Sequence, residues 1–364
     1  TFRVDGTPEN GTLIATVDGI EIHSGDNVEQ EKIVTFTATP DEGYAVDKWT
    51  LSHGSFEPGS GTVYNKTAKV KVTEDTEIKV SFTTGMCYSV NGIGFLMKDI
   101  KAVTDKTIGH DDERDNKPRT VSLSAYLIGE TEVTQELWQA VMENNPSYLN
   151  GDPNDIDKQP ASGEVQEKRP VDSVSWYACI AFCNKLSKAC NLVPCYTVSG
   201  VNFDTLTFDT IPTSRNSDWD DAVCDWSKNG FRLPTEAEWE WAAQGGQKFK
   251  YAGSDNAEET VWAEFPTKGI HEDRTHEVAK KKKNGYGLYD MCGNVAEWCT
   301  DTFEVFTKDR EYPQDYVCTT PGEYRVIRGG MWNEEGDECE CSLKNPFSPS
   351  DSGSHIGLRI VFRR

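Results

Sequence analysis

The first 84 residues alternate apolar and polar side chains with a period of two. Val34-Thr35-Phe36-Thr37-Ala38-Thr39 is followed by the turn Pro40-Asp41-Glu42-Gly43, and Tyr44 to Trp49 resumes an extended pattern. A second alternating run, Ala68 to Phe82, points Val70, Val72, Ile78 and Val80 inward around a bend at Glu74-Asp75. Short alternating runs separated by Gly, Pro, Asn and Asp predict a small β-sandwich. The composition shifts at Thr83-Thr84-Gly85, which sets the predicted domains at 1–84 and 85–364.

Beyond residue 85 the period changes to that of short helices set among long polar loops. Thr134 precedes Leu137, Trp138 and Val141, and Ser175 precedes the run Trp176 to Leu186. Thr235 and Glu238 form a Thr-x-x-Glu capping box, and Gly245-Gly246 closes the helix that follows. Near the C-terminus two apolar phrases bracket a stretch without periodicity. Arg328-Gly329-Gly330-Met331-Trp332-Asn333 leads in, and Ile356-Gly357-Leu358-Arg359-Ile360-Val361 leads out as a half-buried strand. A polar, aperiodic segment held between two buried ends suits a surface that meets a partner. Residues 331–355 are therefore the candidate binding segment. Its contact residues are Trp332, Asn333, Glu334, Glu335, Asp337, Glu338, Glu340, Asn345, Phe347, Ser348, Ser350, Asp351, Ser354 and His355, with Phe347 as the aromatic anchor.

The net charge of −23 over 364 residues argues against nucleic acid as a partner, because phosphate binding needs clustered Lys and Arg. The one dense basic run, Lys280 to Lys283, reads as a solvated loop tip. No stretch reaches the roughly 18 apolar residues of a transmembrane span. The eleven cysteines show no zinc spacing, and His110, His271, His276 and His355 share no catalytic order. Trp138, Trp176, Trp239, Trp241, Trp298 and Trp332 sit within the motif phrases and read as core, although Trp332 also borders the candidate segment.

Five phrases recur in a set order. They are Gly129-Glu130-Thr131-Glu132-Val133-Thr134; Arg169-Pro170-Val171 with Val174-Ser175-Trp176; Phe231 to Glu240; Tyr286 to Trp298; and the closing Arg-Gly-Gly and Ile-Gly-Leu-Arg. Together they resemble the formylglycine-generating enzyme (sulfatase-modifying factor) family. The resemblance implies an α+β chain: a C-type-lectin-type domain with little regular secondary structure, preceded by a small all-β domain. That β-domain resembles the immunoglobulin-like repeats of bacterial surface proteins.

In the oxidases of this family two cysteines, five residues apart, bind copper. Here the later position is Cys339, but the earlier one is Glu334, a hard oxygen donor that does not replace a thiolate on copper(I). No catalytic copper is expected. Cys341, two residues from Cys339, would share its face if the pair lay on a strand. The tail is similar instead to a non-catalytic branch of the fold diversified by retroelements, which keeps framework residues such as Trp332, Asn333, Cys339, Pro349, Ile356, Gly357 and Arg359. That branch implies a surface-displayed lipoprotein binding a protein or glycan ligand, its export signal absent from this sequence. The family also implies structural calcium at Asp290, Gly293, Val295 and Glu297, carboxylates at both ends with backbone carbonyls between. A copper-dependent oxidase with relocated thiols and a calcium-dependent glycan-binding module are the competing readings. The first requires a second thiol, and the second requires calcium with an open coordination position.

Overall fold

In the computed structural model the described residues are 2–4, 8–266, 269, 273–308 and 310–363, so His271 lies outside them. The chain forms two compact units, Thr1–Met97 and Lys98–Arg364. The hairpin of β8 (Met86–Val90) and β9 (Ile93–Ile100) therefore begins in the first unit, although the composition shift precedes it.

In the first unit the alternating runs form two sheets. One contains β1 (Phe2–Val4), β5 (Tyr44–Leu51) and β7 (Thr76–Thr84), ordered β1-β7-β5. The other contains β2 (Gly11–Val17), β3 (Ile20–Ile22), β4 (Ile33–Pro40) and β6 (Thr67–Lys71), ordered β3-β2-β4-β6. Neither predicted bend makes a hairpin. The turn at 40–43 carries the chain from β4 to β5, and the bend at 74–75 carries it from β6 to β7, each time between sheets. Val34, Phe36, Val46, Trp49, Val70, Ile78 and Val80 are buried together between the sheets. Period two thus places one face of every strand in a shared core.

In the second unit the caps form as the sequence implies. The Thr134 side chain accepts from Leu137 N–H at the start of α1 (Gln135–Met142), and Ser175 accepts from Ala178 N–H at the start of α2 (Trp176–Ala189). Two short elements follow, the ladder of β13 (Tyr196–Thr197) with β14 (Val223–Cys224) and the single turn α3 (Ser217–Asp220). α4 (Glu236–Gln244) has both halves of its capping box, and Gly245 ends it at φ +62°. α5 (Ala257–Thr260) is another single turn. Of the tryptophans read as core, Trp138, Trp176, Trp239 and Trp298 are fully buried, whereas Trp241 and Trp332 are only partly buried.

The sheets of this unit are small. β10 (Val103–Ile108) pairs with β11 (Arg119–Leu123), and β12 (Tyr126–Gly129) pairs with β19 (Val361–Phe362). A four-stranded sheet carries the candidate segment. It contains β15 (Ala296–Thr302), β16 (Arg325–Arg328), β17 (Lys344–Phe347) and β18 (Ile356–Gly357), ordered β17-β16-β15-β18. The tail corrects one expectation. Ile356 to Phe362 is not a single half-buried strand but two short strands in different sheets, and every residue along it is buried. Between them lies Arg359, whose fully buried guanidinium pairs with Glu297.

Candidate functional site

The segment leaves β16 at Gly329 and Gly330, with φ +99° and +70°. A Cβ on Gly330 would lie 2.5 Å from the Cys339 sulfur, so glycine is required by both backbone and space. The chain then runs beside the loop before Phe265: Glu264 N–H donates to Glu334 O (2.8 Å) and Gly336 N–H to Glu264 O (2.9 Å). A 3-10 turn at Gly336–Glu338 follows, and β17 pairs antiparallel with β16, Arg328 opposite Lys344 and Arg325 opposite Phe347. Trp332 ties the ends of the segment together, its indole N–H donating to Ser354 O at 3.0 Å.

The sequence-derived contact residues divide into three sets. Asn333, Glu335, Asp337, Glu338, Asn345 and Asp351 are exposed. Trp332, Glu334, Glu340, Phe347, Ser348, Ser354 and His355 are partly buried. Ser350 is buried, which corrects its reading as a surface residue: its hydroxyl turns inward to Ser348 (3.2 Å) and Asp351 (3.3 Å). Phe347 packs edge-on against Trp298 and His355, at 5.8 and 6.4 Å between ring centroids. Glu340 pairs with Lys250 at 2.6 Å.

Sequence reasoning passed over two fixed residues inside the segment. A Cβ on Gly336 would meet the Phe265 ring at 2.2 Å. Lys344 is buried, its ammonium 3.1 Å from Glu236 Oε1 and 2.6 Å from Glu304 O. An aperiodic polar stretch gives no sign of a buried lysine, because its partners come from distant parts of the chain.

The thiols do not form the family's pair. Burial raises the Cys339 thiol well above its ordinary range, and its sulfur lies near Met331 O and Glu335 O. At the earlier position, Glu334 has its carboxyl pushed up to about 7 by burial and by Glu338, with Oε2 lacking a hydrogen-bond partner. Cys339 and Cys341 lie in irregular chain between the 3-10 turn and β17, not on a strand; Cys341 lies 3.7 Å, sulfur to sulfur, from Cys292.

The calcium residues meet where the loop before β15 turns, with Asp290 and Gly293 at φ +53° and +79°. Asp290 Oδ2 accepts from Ala279 N–H (2.7 Å), whereas the buried Oδ1 has no partner. Glu297 accepts from Arg359 at 2.7–3.1 Å and from the Trp239 indole at 2.6 Å. Glu132, which the sequence reading did not single out, accepts from Val295 N–H (3.1 Å) and the Asn294 amide (2.8 Å). Three buried carboxylates therefore face the single guanidinium of Arg359. Burial pushes Asp290 up to about 6, and burial with the charges of Asp290 and Glu297 raises Glu132 well above its usual range. The orphaned oxygen and the excess negative charge fit a hard divalent cation beside Asp290. Among the described residues no three His, Cys, Asp or Glu side chains form a group able to hold a metal, so such a cation would depend on backbone carbonyls, those of Gly293 and Val295. Glu297 would share its oxygens with Arg359.

Comparison with known proteins fits this geometry. Residues 89–364 match the family described as "Sulfatase-modifying factor enzyme 1-like domain", and residues 8–85 match "Divergent InlB B-repeat domain". The solved structure of Treponema denticola variable protein 1 is similar at 49% identity and a TM-score of 0.72, covering 78% of this chain and 100% of that one. Chaperone protein LppX of Paenibacillus barcinonensis is 35% identical over 259 residues, which is 67% of this chain and 82% of that protein. Formylglycine-generating enzyme of Mus musculus is 35% identical over 163 residues, 39% of this chain and only 42% of the enzyme. The second unit has the C-type-lectin-type fold of these proteins, and with three quarters of its length inside the matched domain the chain belongs to the sulfatase-modifying factor enzyme 1-like family.

Proposed function

We propose that this α+β chain is a non-catalytic binding protein whose residues 331–355 form a diversifiable ligand surface on the C-type-lectin-type scaffold. The observation that carries the reading is the division of labour within the segment. Gly336, Cys339, Cys341, Lys344 and Ser350 are buried, whereas Asn333, Glu335, Asp337, Glu338, Asn345 and Asp351 face solvent. A framework built this way tolerates exchange of its exposed residues, because surface substitutions usually change stability by no more than about 0.5 kcal/mol each. Prior order in the exposed set also limits the entropy lost on binding. The similarity to a protein named as variable supports the same reading, and retroelement diversification and display as a bacterial surface lipoprotein accompany it.

Oxidase chemistry is disfavoured by the residue at the first thiol position. Glu334 offers only hard oxygens there, so the family's thiolate pair for copper(I) is missing at positions 334 and 339. Calcium at Asp290, Gly293 and Val295, with Glu297 alongside, is proposed as a structural ion. It would neutralise the excess of buried acid around Glu132 and hold the loop that leads into β15.

The test is a segment exchange. Residues 333–355 are replaced by another sequence that keeps Gly336, Cys339, Cys341, Lys344, Pro349 and Ser350. Circular dichroism should be unchanged, and the profile on a protein and glycan array should change. An intact fold with an unaltered profile would place recognition elsewhere in the chain.

A further inference from the structure

The exposed acids of the segment do not stand on a flat surface. Asp337, Glu338 and Glu340 line a groove of about 1120 Å³. The loop after α4, including Phe249 and Lys250, lines it too, as does β10. Asp105, Lys106 and Thr107, three successive residues of β10, all line it. A β-bulge interrupts the ladder with β11 between Val103 and Lys106, with Asp105 at φ +51°, and such a bulge re-aims its side chains, here toward one groove. The other edge of β10 is open: among the described residues β10 pairs with β11 alone, and Thr104 to Thr107 are exposed. Beyond the bulge, Lys106 to Ile108 keep regular register with β11 and have no strand on their other side among the described residues, which makes that stretch the template for an added strand.

The charges around this edge favour one kind of strand. Three lysines line the groove, Lys106, Lys248 and Lys250, and the last is already paired with Glu340 at 2.6 Å. The acids outnumber them: Asp105, Asp337 and Glu338 have no ion pair among the described residues, and Asp112 meets His110 at 3.5 Å. Phe249, 38% exposed, adds an apolar contact to the groove. We propose that the groove takes an extended, lysine- or arginine-bearing segment of a partner protein. The segment adds as a strand to the free edge of β10, and its cations lie between Asp105 and Asp112 on one side and Asp337 and Glu338 on the other. The inference rests on the proposed binding role of residues 331–355 and names the partner class for that site. It also assigns half of the site to residues outside the segment, so the partner class would persist while the segment tunes preference within it.

The test uses the full chain and a fluorescent ten-residue peptide of alternating lysine and threonine, followed by anisotropy. The wild-type protein should bind it, more weakly as salt rises. The double variant Asp105→Lys, Asp112→Lys lies wholly outside the segment and on exposed positions, and it should weaken binding roughly tenfold or more with unchanged circular dichroism. The same peptide with alternate backbone nitrogens methylated keeps its charge and loses its strand hydrogen bonds, and it should bind comparably weakly. Equal affinity for the methylated peptide would overturn strand addition, and no binding of the parent peptide would overturn the partner class. If segment exchange abolishes binding while the double variant leaves it intact, this inference fails and the proposed function stands. If the double variant abolishes binding and segment exchange does not, strand addition at β10 stands, and both the role of Asp337 and Glu338 and the segment reading fail.

Discussion

Lys344 gives the most direct test of how much of the segment is framework. Its side chain is 1% exposed, and so is that of Glu236, whose oxygens lie 3.1 and 3.2 Å from the ammonium. The ammonium also donates to Glu304 O and sits 4.0 Å above the Phe306 ring. Replacing Lys344 by Met keeps most of the aliphatic volume, so little cavity forms and the charge is what is removed. Removing one partner of a buried pair costs roughly 3–5 kcal/mol, because the remaining charge is left uncompensated. Glu236 would retain Arg328 at 3.6 Å and Arg119 at 3.8 Å, which places the cost at the lower end, about 3 kcal/mol. With an unfolding entropy of roughly 2.1 cal/mol/K per residue, a unit the size of Lys98–Arg364 should then lose about 5 °C in Tm. Calorimetry of Lys344→Met beside Glu335→Ala and Asp337→Ala is the assay, the two controls staying within about 1 °C. The double variant Lys344→Met, Glu236→Gln should regain part of the loss. A Lys344→Met protein with unchanged Tm would refute the burial of Lys344 against Glu236 and return that lysine to the exposed set.

The remaining predictions concern protons, metal and thiols. Glu334 has a folded carboxyl raised to about 7, so the folded state holds its proton more tightly than the unfolded chain. Its contribution is full below the ordinary glutamate range and is lost as pH rises through about 7. Glu334→Gln should therefore gain Tm on wild type between pH 5 and pH 8, and a gap independent of pH would contradict the burial of this carboxyl. Excess chelator should lower Tm by a few degrees, since an ion at 100 times its Kd stabilises the native state by about 2.7 kcal/mol. An unchanged Tm together with no calcium by metal analysis would leave Asp290 and Glu132 as structural acids. Glu334→Cys loaded with copper(I) should show no oxidation of a cysteine-containing peptide; measurable turnover would revive the oxidase reading.

The sequence by itself determined the local features, because caps, turns and strand period depend on residues close together in the chain. Thr134, Ser175 and the Thr235–Glu238 box start their helices without tertiary help, and the alternation at Val34 to Thr39 and Ala68 to Phe82 fixes which faces are buried. The order of five phrases also determined the family, and Glu334 at the first thiol position was legible at once. What required the tertiary structure is the identity of distant partners. Hydrophobic period cannot reveal that the bends at 40–43 and 74–75 cross between sheets, since either connection buries the same residues. Nor can it separate Ser350 and Lys344, which are buried, from Asp351 and Asn345 beside them, because polar residues are buried only where a partner awaits: Ser348 for one, Glu236 for the other. The acidic nest of Glu132, Asp290 and Glu297 around Arg359 joins residues more than 150 positions apart in the chain, and the groove between β10 and the segment joins residues more than 200 apart. Charges and strand edges act through space, and only the folded chain says which of them are neighbours.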